Sequence, residues 1–337
     1  MVGQAPWPSA KLEDHLVNVV PPTFLPSRTG STKLRATWLG HACYYVEYPS
    51  GLRVLFDPVF EDHCSPVPIP LLKRFSEPPC DLSELPYVDA VFISHSHYDH
   101  LSYHSVRKIQ KHFPNTHFFV GMGLQKWFRE SGLDNVTELD WWDEATITLT
   151  PQPAKDSASN DGSDPQPITA KITCLPCQHG SGRSYSDQNV TLWCSWAVSS
   201  GEPAKSVWFG GDTGYRTVPK VPAGVDDYSD AYKDLPFCPQ FQQIGERVGP
   251  FDLGLIPIGA YAPRFLFSCV HANPFDAVEI FRDTRCKNAM AIHWGTWILT
   301  DEDVLEPPKL LKEALRRKDL PETGVFDTCD VGETREF

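Results

Sequence analysis

The sequence predicts an α/β fold, a four-layer αββα sandwich, on three observations. Short strand-like runs gather into two groups, one over residues 34–149 and one over residues 168–292. Segments of helical periodicity flank each group, and a polar insertion at 155–167 stands between them. Two sheets that face each other and carry helices on their outer sides bury the apolar face of every element.

Residues 1–30 are Pro-rich and aperiodic, which predicts an extended or unstructured arm, with residues 31–337 as a single domain. From residue 33 the runs 34–39, 43–48 and 52–56, punctuated by Gly40 and by Ser50-Gly51, read as an antiparallel meander. Residues 62–79, with Pro66, Pro68 and Pro70 and with Ile69, Leu71, Leu72 and Phe75 beside Lys73 and Arg74, read as a functional loop. Residues 90–94 form a buried strand that ends in a histidine cluster, and Val106, Ile109 and Phe113 then recur at helical spacing. Strands at 117–120 and 136–139 enclose a helix near 124–130, and 145–149 opens a hairpin region. The insertion at 155–167, made of Asp, Ser, Gly and Pro, is expected to be a mobile surface loop. The second half reads as strands 168–175, 191–198 and 206–209, an irregular or helical excursion over 218–250, and strand 253–258. Helix 272–282, strand 289–292 and helix 308–315 complete it.

Of the 337 residues 41% are hydrophobic and 22% charged, ordinary for a water-soluble globular chain. The longest apolar runs contain Gly and Pro and fall short of the roughly 20 residues a membrane-spanning helix needs. The first thirty residues lack the basic start and apolar centre of a signal peptide and are not Arg-rich, so a cytoplasmic protein with reduced thiols is expected. Cys174 and Cys177 form a C-x-x-C with no βαβ pattern around it, which argues against redox use. A net charge of -13 argues against nucleic acid as a partner, since that binding works through clustered Lys and Arg. It does not exclude an anionic substrate, because bound divalent ions dominate the local field.

The sharpest signal is His95-Ser96-His97-Tyr98-Asp99-His100, three histidines and a carboxylate within six residues of a buried strand. Histidines two apart project similarly from extended chain, and Asp99 and His100 on the following turn can face the same cavity from another side. Imidazole and carboxylate donors with no cysteine pair suit an open zinc-type site rather than a structural finger. His179, Asp212 and His293 each follow a predicted strand and complete a set of seven, with Asp212 able to bridge two ions about 3.5–4 Å apart.

The run His-x-His-x-Asp-His resembles the signature of the metallo-β-lactamase superfamily, whose fold is the αββα sandwich. The resemblance implies two Zn2+ per chain: one on His95, His97 and His179, the other on Asp99, His100 and His293, with Asp212 shared. The metal motif alone does not choose among lactams, thioesters, lactones and phosphodiesters. Trp38-Leu39-Gly40-His41-Ala42, Glu138-Leu139-Asp140-Trp141-Trp142, Gly210-Gly211-Asp212-Thr213-Gly214-Tyr215, Ile256-Pro257-Ile258-Gly259-Ala260-Tyr261 and Ala291-Ile292-His293-Trp294-Gly295-Thr296 are similar to phospholipases D that hydrolyse N-acyl-phosphatidylethanolamine. That resemblance runs from about residue 37 to 315.

It implies a phosphodiesterase releasing N-acylethanolamine and phosphatidic acid. Asp99 would orient or deprotonate the attacking water, His271 would touch the phosphate or leaving group, and Tyr261, Phe265, Leu266 and Phe267 would line the acyl cleft. It implies as well a phospholipid substrate, peripheral contact with an internal membrane and a homodimer; the apolar residues of 66–75 beside Lys73 and Arg74 are expected to touch the bilayer surface. The chain departs from the family pattern at Gly180, where the family has Trp, and at Ser96, where it has Asn. Loss of the bulky aromatic beside His179 widens the expected cleft. Rival classes are a lactonase or other small-molecule hydrolase, an RNA-processing nuclease (disfavoured by the acidic charge), a flavin-linked diiron protein and a non-catalytic scaffold.

Overall fold

The computed structural model describes residues 17–150, 166–222 and 224–337. Its framework is two seven-stranded mixed sheets. The first runs β14-β1-β2-β3-β4-β5-β6, from β1 (Arg35–Gly40), β2 (Cys43–Glu47), β3 (Arg53–Phe56), β4 (Ala90–Phe92), β5 (His117–Gly121), β6 (Val136–Leu139) and β14 (Thr334–Glu336). The second runs β13-β12-β11-β10-β9-β8-β7, from β7 (Glu144–Leu149), β8 (Ile168–Leu175), β9 (Ser195–Ser200), β10 (Lys205–Phe209), β11 (Phe251–Pro257), β12 (Cys286–Ile292) and β13 (Phe326–Asp327). Each sheet is antiparallel on one side of a pivot strand and parallel on the other; the pivots are β3 and β10.

Strand periodicity of two sorts the side chains of the first sheet. Trp38, Tyr44, Val54, Phe56, Phe92 and Phe119 point into a core shared with Trp196, Val207 and Phe209 of the second sheet. The alternate residues Tyr45, Leu55, Val91, Phe118 and Val120 pack outward against Val106 and Ile109 of α1 (Tyr103–His112) and Phe128 of α2 (Gln125–Glu130). On the far side, α3 (Gln240–Arg247), α5 (Pro274–Asp283) and α6 (Glu306–Arg317) cover the second sheet with Phe241, Ile244, Val278, Leu311 and Leu315. The αββα order expected from the sequence is the order observed.

Local chemistry accounts for the helix starts. Ser102 caps α1 by accepting from Ser105 N, and Asn273 caps α5 by accepting from Asp276 N with Pro274 in the first turn. The 191–198 strand begins later than expected, at Ser195, because residues 191–194 bend over the metal loop. Among its described residues, the excursion at 218–250 contains the 3-10 turn Asp230–Tyr232 and α3. Among the strands and α-helices, β13, β14 and the four-residue α4 (Arg264–Phe267) were not anticipated.

Residues 17–30 of the predicted arm lie on the body. Val19 pairs with Val331, Phe24 meets Tyr45 edge-on, and Arg28 grips Asp89 with two hydrogen bonds of 2.7 Å. The rest of the arm, and the insertion at 155–165, fall outside the described residues. Among those described, no helix is long and apolar enough to cross a membrane, and all ten cysteines are free thiols.

Candidate metal centre

The functional side chains leave the carboxyl ends of strands in both sheets, the edge at which open α/β sheets present ligand-binding residues. The loop after β4 supplies His95, His97, Asp99 and His100; loops after β8, β10 and β12 supply His179, Asp212 and His293. Gly211 permits the approach of the Asp212 loop: its φ is 58°, and a Cβ there would stand 2.6 Å from Ser94 Cβ. The structure brings all seven predicted ligands together.

Two sets of donors result. His97 Nδ1 lies 2.8 Å from His95 Nε2 and 3.2 Å from His179 Nε2. Tetrahedral zinc with nitrogen ligands at about 2.0–2.1 Å puts neighbouring nitrogens about 3.3 Å apart, so these three suit one ion. In the second set Asp99 Oδ2 is 3.4 Å from both His100 Nε2 and His293 Nε2. Asp212 Oδ2 stands between the sets, 3.0 Å from His293 Nε2, 3.2 Å from His100 Nε2 and 3.6 Å from His179 Nε2.

The other nitrogens of three of these rings are spoken for, as a metal-ligating imidazole requires. His95 Nδ1 meets Ser94 Oγ at 2.8 Å, His100 Nδ1 meets Asp57 Oδ2 at 2.6 Å, and His179 Nδ1 meets the Val270 carbonyl at 2.9 Å. By contrast His100 Nε2, His293 Nε2 and Asp212 Oδ1 are buried with no hydrogen-bond partner in the protein. Unsatisfied buried polar atoms cost about 1–3 kcal/mol each, and a divalent cation satisfies acceptors of this type. The donor set therefore fits a metal.

Electrostatics agree. Burial holds His95 and His271 well below the ordinary histidine value, lowers His97, and brings His179 to about 4, so these rings are neutral donors. Burial also opposes charge on His100 and His293, but Asp212 and Asp99 outweigh it; His100 is raised and His293 reaches about 9. The same pairing, led by His100, keeps Asp99 and Asp212 well below the usual carboxylate range against their burial. Two ionised carboxylates thus draw positive charge into a buried pocket.

His271 lies on the rim with Nδ1 4.0 Å from Asp212 Oδ2 and its ring 5.0 Å from that of His179. The four residues expected to line an acyl cleft separate. Phe265 and Leu266 on α4 are exposed, at 43% and 56%, and the Phe267 ring is 6.2 Å from that of His271. Tyr261 departs from the expectation: it is buried, and its hydroxyl donates to Glu306 Oε1 at 2.6 Å, which turns it toward α6.

Sequence reasoning missed two residues. Asp57, one position past β3, accepts from Ser94 N and His100 Nδ1, and burial raises its pKa against the opposing pull of His100. His41, in the β1–β2 turn, sets Nε2 3.0 Å from Asp99 Oδ2. Each is a lone residue in its segment, and no spacing marks it; His41 lay only within a stretch noted for its family resemblance.

The β-lactamase superfamily domain matches residues 52–230 and 232–294. The chain is 38% identical over 310 residues to N-acyl-phosphatidylethanolamine-hydrolyzing phospholipase D 1 of Caenorhabditis elegans, covering 90% of this chain and 76% of that one. It is 33% identical over 311 residues to the mitochondrial enzyme of the same description from Saccharomyces cerevisiae, covering 89% of this chain and 55% of the yeast protein. Among solved structures, a possible metal-dependent hydrolase of Veillonella parvula superposes with a TM-score of 0.58 at 15% identity, over 90% of this chain and all of that one. A metallo hydrolase of Ignicoccus hospitalis does so with a TM-score of 0.56 at 18% identity, over 91% of this chain and 99% of that one. Those two likenesses bear on the fold alone; the domain match and the sequence relatives establish the family. The chain is a metal-dependent hydrolase fold of the β-lactamase superfamily and belongs, within it, to the family of N-acyl-phosphatidylethanolamine-hydrolysing phospholipases D.

Proposed function

We propose that the protein is a dinuclear zinc phosphodiesterase that hydrolyses N-acyl-phosphatidylethanolamine to N-acylethanolamine and phosphatidic acid. The observation that carries the reading is Asp212, whose Oδ2 lies within 3.6 Å of His179 from one donor set and of His100 and His293 from the other. A carboxylate so placed suits a shared ligand. His95, His97 and His179 would hold one ion, and Asp99, His100 and His293 the other. Such a pair, when bound, supplies a water of lowered pKa and neutralises charge on phosphate oxygens.

The chain's own groups do the remaining work. Asp99 is partly open to solvent, its side chain 16% exposed, and it suits holding or accepting a proton of the attacking water. His271, kept neutral by burial, offers one N–H to a phosphate oxygen or to the departing alkoxide. Water oxygen adds to phosphorus, the bond from phosphorus to the ethanolamine oxygen breaks, and the proton ends on that oxygen.

Phe265 and Leu266 support an apolar approach for the acyl chain, ahead of Phe267 and His271. Val67, Ile69 and Leu71, exposed beside Lys73, support peripheral contact with a bilayer. The test is incubation of metal-quantified protein with N-acyl-phosphatidylethanolamine in mixed micelles, against His97→Ala and Asp212→Ala, with products identified by mass spectrometry. Both products should form and be lost in both variants. Two bound metals with intact lipid and cleavage of soluble esters would replace the assignment with a small-molecule hydrolase such as a lactonase.

A further inference from the structure

We infer that His41 is a positioning residue, whose Nε2–H holds the Asp99 carboxylate toward His100 and His293. The inference deepens the proposed two-metal site and rests on that reading.

His41 follows Gly40 in the β1–β2 turn, and both are left-handed, with φ of 50° and 100°. A side chain with a Cβ persists there only where its surroundings over-determine it, and such positions gather at functional sites. The surroundings here do so. His41 N donates to Thr296 Oγ1 at 2.7 Å, and its carbonyl accepts from Trp38 Nε1 at 2.9 Å and from His293 N at 3.1 Å. His293, itself left-handed at φ 62°, is thereby tied through its backbone to the residue that touches Asp99 through its side chain.

The imidazole is 2% exposed, 4.2 Å ring to ring from His293 and edge-on to Trp297 at 4.8 Å. Its one hydrogen bond is Nε2 to Asp99 Oδ2 at 3.0 Å, and Nδ1 has no partner. An ionised carboxylate only accepts, so Nε2 carries the proton and Nδ1 is a bare acceptor. The opposite tautomer would bury an N–H with nothing to receive it, the rarer defect. Asp99, His100, His293 and Asp212 would hold an ion without a fifth protein donor, and His41 Nε2 is already engaged by the Asp99 carboxylate, so His41 acts through Asp99. Asp99 needs such a holder: it stands on a loop, more exposed than the other donors of its set.

The test measures zinc binding by the full chain, by competition with a chromophoric chelator, in wild type, His41→Phe, His41→Gln and Asp99→Ala, and in His41→Phe combined with Asp99→Ala. Loss of the Nε2–H should weaken the weaker zinc step by about 10–100-fold in His41→Phe. Gln, whose amide N–H reaches the same place, should restore most of it, while the metal-free Phe and Gln variants melt alike. In the Asp99→Ala background His41→Phe should change nothing further. Wild-type affinity in His41→Phe, equal loss in Phe and Gln, or an undiminished effect of His41→Phe without Asp99 would each overturn the inference. A wild-type isotherm of one equivalent would refute the two-metal reading instead, and the cycle with Asp99→Ala still decides the role of His41 on that single ion.

Discussion

Replacing Asp57 by Asn should weaken metal binding although Asp57 belongs to neither donor set. Its carboxylate, 1% exposed, accepts from Ser94 N at 2.8 Å through Oδ1 and from Ser94 Oγ and His100 Nδ1 at 2.6 Å or less through Oδ2. Ser94 Oγ in turn lies 2.8 Å from His95 Nδ1. With protons assigned, His95 Nδ1–H donates to Ser94 Oγ, the hydroxyl donates to Asp57, and His100 Nδ1–H donates to the same oxygen. One carboxylate thus fixes the tautomer of one ligand from each set. An asparagine amide has one acceptor oxygen. The backbone N–H of Ser94 cannot change, so the NH2 group turns to face His100 Nδ1, which must give up its proton to Nε2, the nitrogen that faces Asp99 and Asp212. A hydrogen bond to a charged group contributes about 1.5–3 kcal/mol, and outer partners of this kind change metal affinity by about 10–100-fold. At about 1.4 kcal/mol per tenfold the two figures agree. Zinc content after dialysis at fixed free zinc, beside the melting temperature of the metal-free protein, measures the effect. Wild-type zinc affinity in a well-folded Asp57→Asn protein would refute the tautomer argument.

Gly211→Ala should cost about 1–3 kcal/mol in denaturant unfolding, because its Cβ at φ 58° would stand 2.6 Å from Ser94 Cβ and press the Asp212 loop off the metal loop. Arg28→Met should lower stability by about 1 kcal/mol, read from the denaturant midpoint: it removes two 2.7 Å bonds to Asp89, discounted because the arginine is 24% exposed. The metal-free protein should be most stable near neutral pH. His41, His95, His97, His179 and His271 have lowered values, so below about 6.5 the unfolded chain binds more protons and stability falls with falling pH. His100 and His293 have raised values, so above about 6.5 the folded chain holds more protons and stability falls as pH rises toward the His293 value of about 9. Melting temperatures of chelator-treated protein across that range check both slopes.

What the sequence displayed was whatever is local. Three ligating histidines and an aspartate within six residues mark themselves, and strands such as β2 and β3 show as runs of β-branched and aromatic residues between turn signals. His179, Asp212 and His293 could be found because each closely follows a strand that was itself legible. What stayed hidden depends on pairing across distance. β14 is three residues long and exists because Arg35 pairs with Glu336, a partnership no window of sequence contains. Asp57 and His41 are single polar residues beside turns, and only the folded arrangement shows that one reaches His100 and the other Asp99. Tyr261 misled because an aromatic run gives no direction: Phe265 and Leu266 face outward, while a carboxylate on α6 draws Tyr261 in.

The two sheets also explain why two buried aspartates fall where they do. In each sheet the pivot strand has an antiparallel neighbour on one side and a parallel one on the other, and the connections at the pivot's carboxyl end diverge there. Asp57 comes one residue after pivot β3, and Asp212 comes three residues after pivot β10. They meet His100 from different sides, Asp57 at Nδ1 and Asp212 at Nε2. One imidazole is therefore held between carboxylates from equivalent places in the two halves. Both sheets thus contribute to the surroundings of His100, and a change in their relative packing would change the donor geometry there. Metal uptake, on this argument, should report on the packing of the two halves as directly as any probe of the core between them.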